Sequence, residues 1–515
     1  MTYGKGSIAH AVAIVASVAG LIVLAGCGGG GGTTPVGVPT TVSISPSAGQ
    51  ALAPGGTISV TASVTTGTSN STGVTWSLSG PGSLSSSTDN PVTYTAPNSV
   101  ASNTRVVITA TAAASSSATA YLPLTLVPAL AGSNVAPLSV SAGPAGNSDN
   151  IAFVSVDICE PGSTTCVTVP NIQVDTGSEG LRILQSALGS VSLPSLTDTS
   201  GNTIFNCVSF LDTSYLWGPV QAADLRINGE VAAAVLVQTI SSSNSGIPSA
   251  CTNGGTINEN TPTLLGANGI LGVGLEPTDC SLAGANFCDG SVTSSIPDIY
   301  FSCASGGCSS GTSPIMIAAA NQVTNPVVTF ATDFNGTVIN FPAVADAAAT
   351  ATGTLSFGIG TQSNNTIGSA TPFGVDQNDN FVTLYDGQVL TASFIDSGSN
   401  ALFFPSVIPD CTDNPFYCPP VGFPVQSATN EGATGSPTSV VSFTVDNADT
   451  LFTNNPTDTA FSNLAGPQGT ANTCSNGNGS CSFDWGLPFF YGRTVFTAID
   501  GTSVSGVGNG PFWAY

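Results

Sequence analysis

The sequence predicts an all-β protein. Apolar residues recur in short alternating runs split by Gly, Pro, Ser and Asn, which is typical of strands and turns, and helical periodicity is scarce. Of the 515 residues, 41% are hydrophobic and 7% aromatic, so the chain can bury sizeable cores despite its 60 glycines and 34 prolines. At roughly 100–200 residues per domain, this length allows about two to four domains.

The first 26 residues have the order of a signal peptide, with Lys5 followed by an apolar run and then small residues. Residues 24–27, Leu-Ala-Gly-Cys, resemble a bacterial lipobox, which makes Cys27 the expected lipidation site. A transmembrane anchor with an incidental cysteine is the disfavoured alternative, because the run is short for a membrane span. We therefore expect residues 1–26 to be removed and the Gly-rich residues 27–40 to tether a lipid-anchored protein of the cell envelope, at the outer membrane or cell surface.

Basic residues are few, and their positions exclude several chemistries. Lys5 is the sole lysine and His10 the sole histidine, so the mature chain has neither. Catalytic triads that use histidine, histidine metal sites and Walker or Schiff-base lysines are therefore excluded. The formal net charge of -24 makes nucleic acid an unlikely partner, and we expect membrane contact only through the N-terminal lipid.

The cysteines predict a disulfide-bonded exported protein. There are 13, and lipidation of Cys27 leaves an even number. Most lie in close couples, which predicts six local disulfides: Cys159–Cys166, Cys207–Cys251, Cys280–Cys288, Cys303–Cys308, Cys411–Cys418 and Cys474–Cys481. A cysteine metal site is the disfavoured alternative, because the mature chain lacks histidine and Cys-x-x-Cys pairs.

The first predicted domain covers residues 41–128. Strand-like runs separated by turn residues lie at 42–44, 58–62, 74–78, 92–94 and 106–110. The run around Trp76, followed by Tyr-Thr-Ala-Pro at residues 94–97, resembles bacterial Ig-like repeats and implies an Ig-like β-sandwich. The segment carries no cluster of reactive side chains, so a spacer is the favoured role and an adhesive module the alternative.

The second predicted unit is the main body, which follows a Pro-rich segment at residues 128–137. An alanine-rich stretch at 343–349 predicts a joint between two halves, residues 138–345 and 346–515. A short helix is the alternative for this stretch, because alanine is a good helix former.

Each half of the body contains one copy of the pattern apolar-Asp-Ser/Thr-Gly-Ser. The copies are Val174-Asp175-Thr176-Gly177-Ser178 and Ile395-Asp396-Ser397-Gly398-Ser399. In such a turn the glycine backbone N–H can reach a carboxylate oxygen, and the last hydroxyl can bond the other oxygen. Two facing turns would bring their carboxylates together so that they share one proton. One acid can then activate water while the other polarises a peptide carbonyl.

These motifs resemble those of the pepsin-like aspartic peptidases. Residues 268–274 and 485–496 are similar to the segments that thread beside the two aspartate loops in that fold, and residues 354–358 resemble the opening strand of its second lobe. The body also resembles a bacterial secreted family of unknown function. The resemblance implies a two-lobed pepsin-like β-barrel body that acts on peptides or proteins without a cofactor or metal.

The resemblance also implies the roles of particular residues. Asp175 and Asp396 would be the catalytic pair. Supporting residues would brace the loops or bond the carboxylates: Thr176, Gly177, Ser178, Ser397, Gly398 and Ser399. The flap of the fold would lie near residues 210–218, with Phe210, Tyr215 and Trp217 as aromatic candidates. Arg182, which replaces an apolar residue of the family, would pair with a structural carboxylate or contact substrate.

Two other functions remain open for the body. A binding or adhesion protein on a pepsin-like scaffold would keep the fold without turnover. A glycosidase would also use two carboxylates, but its acids need not lie in matched turns, so this alternative ranks lowest. The acidic stretch 376–380 has oxygen ligands like a calcium loop, yet it lacks the spaced glycine and terminal glutamate, which favours a solvated turn.

Overall fold

The computed structural model describes residues 40–515 except 46–49, 53–56, 67–68, 72, 98–103, 127–133, 211–213, 253–256, 283, 293–294, 305–306 and 469–480. The predicted signal peptide, Cys27 and nearly all of the tether lie outside the described residues. Strands make up 47% and helices 7% of the structure, which confirms the all-β class. Within the described part of the chain, no helix is both long and apolar enough to cross a membrane.

The N-terminal region forms two sheets over one core. Its strands are β1 (Thr41–Ser45), β2 (Gln50–Leu52), β3 (Thr57–Thr66), β4 (Ser69–Ser71), β5 (Val74–Ser79), β6 (Ser83–Leu84), β7 (Val92–Thr95), β8 (Thr104–Ala112) and β9 (Ser115–Leu126). One sheet has the order β1-β3-β7-β6 with β4 on β3, and the other has the order β2-β9-β8-β5. All five predicted strand runs are confirmed, and alternate side chains, including Trp76 and Tyr94, fill the shared core.

Most strands of the body belong to two large sheets. The strands of its first half are β10 (Val135–Val140), β11 (Ala152–Cys159), β12 (Cys166–Asp175), β13 (Glu179–Leu184), β14 (Thr203–Ser209), β15 (Tyr215–Ile227), β16 (Glu230–Ile240), β17 (Gly269–Val273), β18 (Ser281–Leu282), β19 (Ala285–Asn286), β20 (Tyr300–Cys303) and β21 (Gly336–Asn340). The strands of its second half are β22 (Ala347–Ala348), β23 (Ala351–Phe357), β24 (Pro372–Gly374), β25 (Phe381–Tyr385), β26 (Gln388–Ile395), β27 (Leu402–Phe404), β28 (Gln426–Glu431), β29 (Thr438–Phe443), β30 (Ala460–Phe461), β31 (Ala465–Pro467), β32 (Asp484–Trp485), β33 (Thr494–Ala498), β34 (Ser503–Val504), β35 (Gly508–Asn509) and β36 (Phe512–Ala514).

Helices are short in the described body. The α-helices are α1 (Ser249–Thr252), α2 (Pro262–Leu265) and α3 (Ala448–Asn454), and the 3-10 turns are Gln185–Ala187, Ala319–Asn321, Pro326–Thr329 and Leu487–Phe490. The alternative of a helix in the alanine-rich joint is wrong, because Ala347–Ala348 instead pairs with β30 as a short strand. That pairing satisfies backbone groups between residues far apart in sequence, which local helix propensity cannot anticipate.

The larger sheet joins the two halves of the body. Its order is β20-β14-β15-β16-β13-β17-β12-β11-β10-β23-β21-β33-β36-β24. The connection is made where β10 pairs with β11 on one side and with β23 on the other. The second sheet has the order β29-β28-β25-β26-β32-β27-β31 and belongs to the second half.

The same threading pattern occurs once in each half. β17 runs parallel to β12 and antiparallel to β13, so it lies between the strands that flank the first aspartate motif. β32 has the same relation to β26 and β27 at the second motif. Residues 268–274 therefore lie beside the first aspartate loop, as predicted, whereas only Trp485 of the segment 485–496 pairs as a strand beside the second loop.

The side chain of Asn150 links the two halves of the body through hydrogen bonds. This residue is fully buried and has a left-handed backbone with φ of 51°, which asparagine tolerates better than most residues. Its Nδ2 donates to the carbonyls of Asn400 and Phe461, while its Oδ1 accepts from Phe461 N and the Tyr491 hydroxyl. The amide therefore makes all four hydrogen bonds open to it.

Five of the six predicted disulfides are confirmed: Cys159–Cys166, Cys207–Cys251, Cys280–Cys288, Cys303–Cys308 and Cys411–Cys418. Cys481 is also disulfide-bonded, and its predicted partner, Cys474, lies outside the described residues. Four of the five close loops of only 5 to 8 residues, so they secure local turns.

Candidate active site

The two motif aspartates lie at the ends of strands. Asp175 is the last residue of β12, Asp396 directly follows β26, and both side chains are fully buried. The backbone N–H of Gly177 donates to Asp175 Oδ1 at 2.8 Å, and that of Gly398 donates to Asp396 Oδ1 at 2.7 Å. The strands therefore deliver both carboxylates into tight turns that hold one oxygen of each.

The hydroxyls at the fourth position of each motif hold the other carboxylate oxygens. Ser178 Oγ donates to Asp175 Oδ2 at 2.5 Å. Ser399 Oγ lies 2.8 Å from Asp396 Oδ2 in the matching position. Each carboxylate is thus oriented by one backbone and one side-chain group, as the spacing of the motif predicts.

Reciprocal hydrogen bonds lock the two loops together. Thr176 N donates to Ser397 Oγ at 3.1 Å, and Ser397 N donates to Thr176 Oγ1 at 2.9 Å. Each hydroxyl then donates to the carbonyl that precedes the other loop's aspartate: Thr176 to Ile395 and Ser397 to Val174. These bonds join residues 221 positions apart, and they tie the backbone of one motif directly to that of the other.

The locked loops bring the carboxylates face to face. A Cβ atom placed on Gly398 would lie 2.6 Å from Asp175 Oδ1 and 2.9 Å from Asp396 Oδ1. A Cβ atom placed on Gly177 would lie 2.7 Å from Asp396 Cγ. Only glycine leaves this space open, so the two glycines allow the pair to approach closely.

The environment favours a proton on one member of the pair. Burial raises the pKa of Asp396 well above its usual range, and the charges of Asp175 and Asp484 raise that pKa further. A hydrogen bond shared with Asp175 acts in the same direction, whereas the Ser399 bond opposes it. The arrangement has the form of a coupled acid pair in which burial and the neighbouring carboxylates favour the protonated form of Asp396.

A family model described as "Protein of unknown function (DUF3443)" matches residues 131–515, which is most of the chain and includes both aspartate loops. The chain belongs to the DUF3443 family. No curated protein matches the sequence. In this family member, the matched region contains every candidate site residue of the body.

A third buried carboxylate lies against the pair and was not predicted. Asp484 is the first residue of β32, is fully buried, and has an Oδ2 atom 2.6 Å from Ser399 Oγ. Burial raises its pKa well above the usual range, with the charge of Asp175 adding to the rise. The sequence signal was an acid between Phe483 and Trp485 in a chain with only 7% charged residues.

Further acids surround the first aspartate loop. Desolvation raises the pKa of Glu179 well above its usual range, with the charge of Asp379 adding to the rise and that of Arg182 opposing it. Desolvation also raises the pKa of Asp379 to about 7, although a hydrogen bond with Glu276 lowers it. Asp379 comes from the acidic stretch 376–380, which forms the expected turn with Gln377 and Asn378 exposed, while Asp379 itself is half-buried.

The three flap candidates are buried. Phe210 is 5% exposed and belongs to an apolar cluster with Phe153 and Leu216. Trp217 stacks on Phe205 with ring centroids 5.0 Å apart, and Tyr215 lies in the same cluster as Trp217, beside the Cys207–Cys251 disulfide. The structure thus places these rings in local cores, and their role as a flap stays a prediction.

Arg182 pairs with a structural carboxylate, which is one of the two roles that the sequence left open. Its side chain is 2% exposed, and its guanidinium forms an ion pair with Asp279 at 3.1 Å. The hydroxyl of Tyr300 donates to the other oxygen of Asp279 at 2.6 Å, and Asn206 also donates to this acid. Arg182 additionally donates to the carbonyl of Glu179, so the ion pair supports the strand that follows the first aspartate motif.

Proposed function

We propose that the chain is an exported aspartic endopeptidase that hydrolyses peptide bonds through Asp175 and Asp396. The observation that carries the proposal is the reciprocal bonding of Thr176 and Ser397, which holds the two aspartate loops against each other. A pair of buried acids is costly unless it shares a proton, and protein interiors keep such pairs mainly where chemistry uses them.

The chemistry follows from the single proton of the pair. Asp396 carries that proton and transfers it to the carbonyl oxygen of the scissile peptide as water attacks. Asp175 accepts a proton from a water molecule, whose oxygen then forms a bond to the carbonyl carbon. The tetrahedral species collapses when the peptide nitrogen takes a proton from Asp175 and the C–N bond breaks. The hydroxyl formed from the carbonyl oxygen returns its proton to Asp396, so the pair ends with one proton.

The finer fold assignment is part of the proposal. The threading of β17 and β32 occurs in the same way beside each aspartate loop, which supports a two-lobed pepsin-like body for residues 138–345 and 346–515. For residues 41–128, two mainly antiparallel sheets over a core that contains Trp76 support an Ig-like sandwich. The sandwich would serve as a spacer between membrane and peptidase.

The membrane attachment is also a proposal. Cys27 would carry the lipid, and residues 27–40 would tether the protein to the cell envelope. Replacing Cys27 with serine should release the protein from the membrane fraction into the soluble fraction. A variant that stays with the membranes would contradict lipid attachment at this cysteine.

A second candidate function is peptide or protein binding without turnover. It is favoured by the complete burial of both carboxylates, because substrate must reach them for hydrolysis. The burial of the flap candidates supports it as well, since all three rings are packed in apolar clusters. Ligand binding would then occur near the partly exposed backbone of Gly177.

The deciding experiment incubates the mature protein with a mixed peptide library between about pH 3 and pH 8. Asp175→Asn and Asp396→Asn should each abolish cleavage and leave the protein folded, because both substitutions keep the shape of the side chain. Asp413→Asn is the matched control, since Asp413 is exposed in a disulfide-closed loop. Equal cleavage by wild type and both site variants would refute the peptidase. A folded wild type that binds peptides without cleaving them would favour the second candidate.

A further inference from the structure

Ser399 lies between two carboxylates, whereas its counterpart in the first motif has one. Ser399 Oγ is 2.8 Å from Asp396 Oδ2 and 2.6 Å from Asp484 Oδ2. Among the described residues, the side chain of Ser178 bonds only Asp175. The second aspartate loop therefore has a direct hydrogen-bonded path to a third acid, and the first loop has none.

The number of hydrogen atoms limits the charge that this path can hold. A serine hydroxyl has one hydrogen, so it can donate to only one of its two carboxylate neighbours. The other carboxyl must then donate to Ser399 Oγ, which requires a proton on that carboxyl. Two ionised carboxylates would leave one oxygen facing the serine oxygen without a hydrogen between them, at a distance of 2.6 or 2.8 Å.

The surroundings of Asp484 also disfavour its ionised form. Its side chain is fully buried, and its Oδ1 atom has no hydrogen-bond partner among the described residues. The neighbouring β27 contributes the apolar residues Leu402, Phe403 and Phe404 and no ionisable group.

The ionisable groups that face this site are acids. β26 leads into Asp396, and the first loop contributes Asp175, whose charge acts on both Asp396 and Asp484. Tyr385 on β25 contacts Phe483, the residue before Asp484. Arg182 acts on Glu179 beyond the first loop and bonds Asp279. No cation is paired with Asp484 among the residues that the structure describes.

We propose that Asp484 is a positioning residue of the proposed peptidase. Asp484 exchanges a proton with Asp396 through Ser399 and so sets the pH range in which the aspartate pair holds one proton. The inference rests on the proposed function. In one arrangement Asp484 donates its proton to Ser399 Oγ, and the serine hydrogen bonds an ionised Asp396. In the other, Asp396 holds the proton and the serine hydrogen bonds an ionised Asp484. Between the two arrangements, Asp484 gives its proton to Ser399 Oγ while Ser399 gives its own hydroxyl proton to Asp396. One O–H bond breaks and one forms at each transfer, and the total charge does not change.

The first experiment needs no turnover. The unfolding equilibrium constants of wild type and Asp484→Asn are compared at several pH values with the disulfides intact. Asparagine imitates the neutral acid, so the wild type should lose stability relative to the variant as pH rises above about 4. The ratio of the two unfolding equilibrium constants should change by up to about tenfold per pH unit. A ratio that does not change with pH would overturn the proposal.

The second experiment measures the pH profile of peptide cleavage. Removing the charge of Asp484 should move the basic limb of the profile to lower pH by about one unit. The shift should be smaller in a Ser399→Ala background, which breaks the path, than in a Ser178→Ala background, which breaks only the matching bond of the first loop. Equal shifts in both backgrounds, or a uniform loss of rate with no shift, would overturn the exchange through Ser399.

The two experiments separate this inference from the activity. A folded wild type that cleaves nothing yet shows the pH-dependent ratio supports the neutral Asp484 that the exchange requires and contradicts the peptidase alone. If Asp484→Asn does not fold, the wild type is titrated by NMR of its aspartate carboxyl carbons. Two signals that titrate in coupled steps support the proposal, and independent single steps near the ordinary aspartate pKa of about 4 overturn it.

Discussion

The close approach of the two aspartate loops can be tested by adding one methyl group. In Gly398→Ala the new Cβ would lie 2.6 Å from Asp175 Oδ1, which is 0.8 Å short of the 3.4 Å at which ordinary contact begins. The loop backbone at this glycine does not have a positive φ, so alanine meets no backbone strain and the effect is one of crowding. The neighbours are held by the reciprocal Thr176 and Ser397 bonds and cannot withdraw freely.

The expected cost is that of overpacking a tight interior, about 1–3 kcal/mol in the free energy of unfolding. If the pair hydrolyses peptides as proposed, displacing a carboxylate by nearly 1 Å should also lower the rate of cleavage by about 100-fold. Gly177→Ala should behave similarly, because its Cβ would lie 2.7 Å from Asp396 Cγ. Gly311→Ala is the matched control, since nothing lies within 4 Å of a Cβ at that position.

Urea unfolding of the disulfide-intact protein, monitored by tryptophan fluorescence, gives the free energies. Peptide cleavage at one pH gives the rates for the same variants. If both loop variants were as stable as Gly311→Ala to within about 0.5 kcal/mol, the two carboxylates would not face each other as described. The stability result decides this point whether or not the protein cleaves peptides.

Substitutions at three further residues test other parts of the structure. Asn150→Ala removes four buried hydrogen bonds between the halves and should cost about 3–5 kcal/mol of unfolding free energy in urea titrations; a loss below about 1 kcal/mol would contradict that link. Thr176→Val leaves the N–H of Ser397 and the carbonyl of Ile395 unpaired and should lower the free energy of unfolding by about 2–4 kcal/mol. Thr176→Ser keeps the hydroxyl and should lose far less. Equal losses in the two variants would argue against the bracing role of Thr176. Burial and the neighbouring Asp333 raise the pKa of Glu230 to about 8, so its contribution to stability is present at low pH and disappears as pH rises from about 4.5 to about 8. Glu230→Gln should therefore flatten the fall of the melting temperature over that window, and an unchanged fall would contradict the raised pKa.

Local patterns were sufficient for much of the architecture. The alternation of apolar and polar residues located all five predicted strands between residues 41 and 128, because a half-buried strand needs that period. Close cysteine spacing located four of the five disulfides, since short loops bring their ends together, and Cys207–Cys251 was predicted because these two cysteines remained after the close couples were assigned. The alanine-rich joint was ambiguous for the opposite reason: its strand exists only through pairing with Ala460–Phe461.

The internal geometry of each aspartate turn was also predictable. The glycine N–H and the serine hydroxyl lie two and three residues after their aspartate, so their bonds depend on local chain geometry. Pairing of the two turns was inferred from their matched form. By contrast, Asp484 is 85 residues from Ser399, and no local pattern links them.

By itself, the sequence determined the all-β class, the disulfide couples, the confinement of the sole lysine and histidine to the first ten residues, and the two aspartate turns. Those features depend on composition and on groups only a few residues apart. The tertiary structure alone decided that Asn150 joins the halves, that Arg182 pairs with Asp279 and that Asp484 adds a third acid to the pair. Such contacts depend on the path of the backbone through whole sheets, where burial and hydrogen bonds select partners by distance in space.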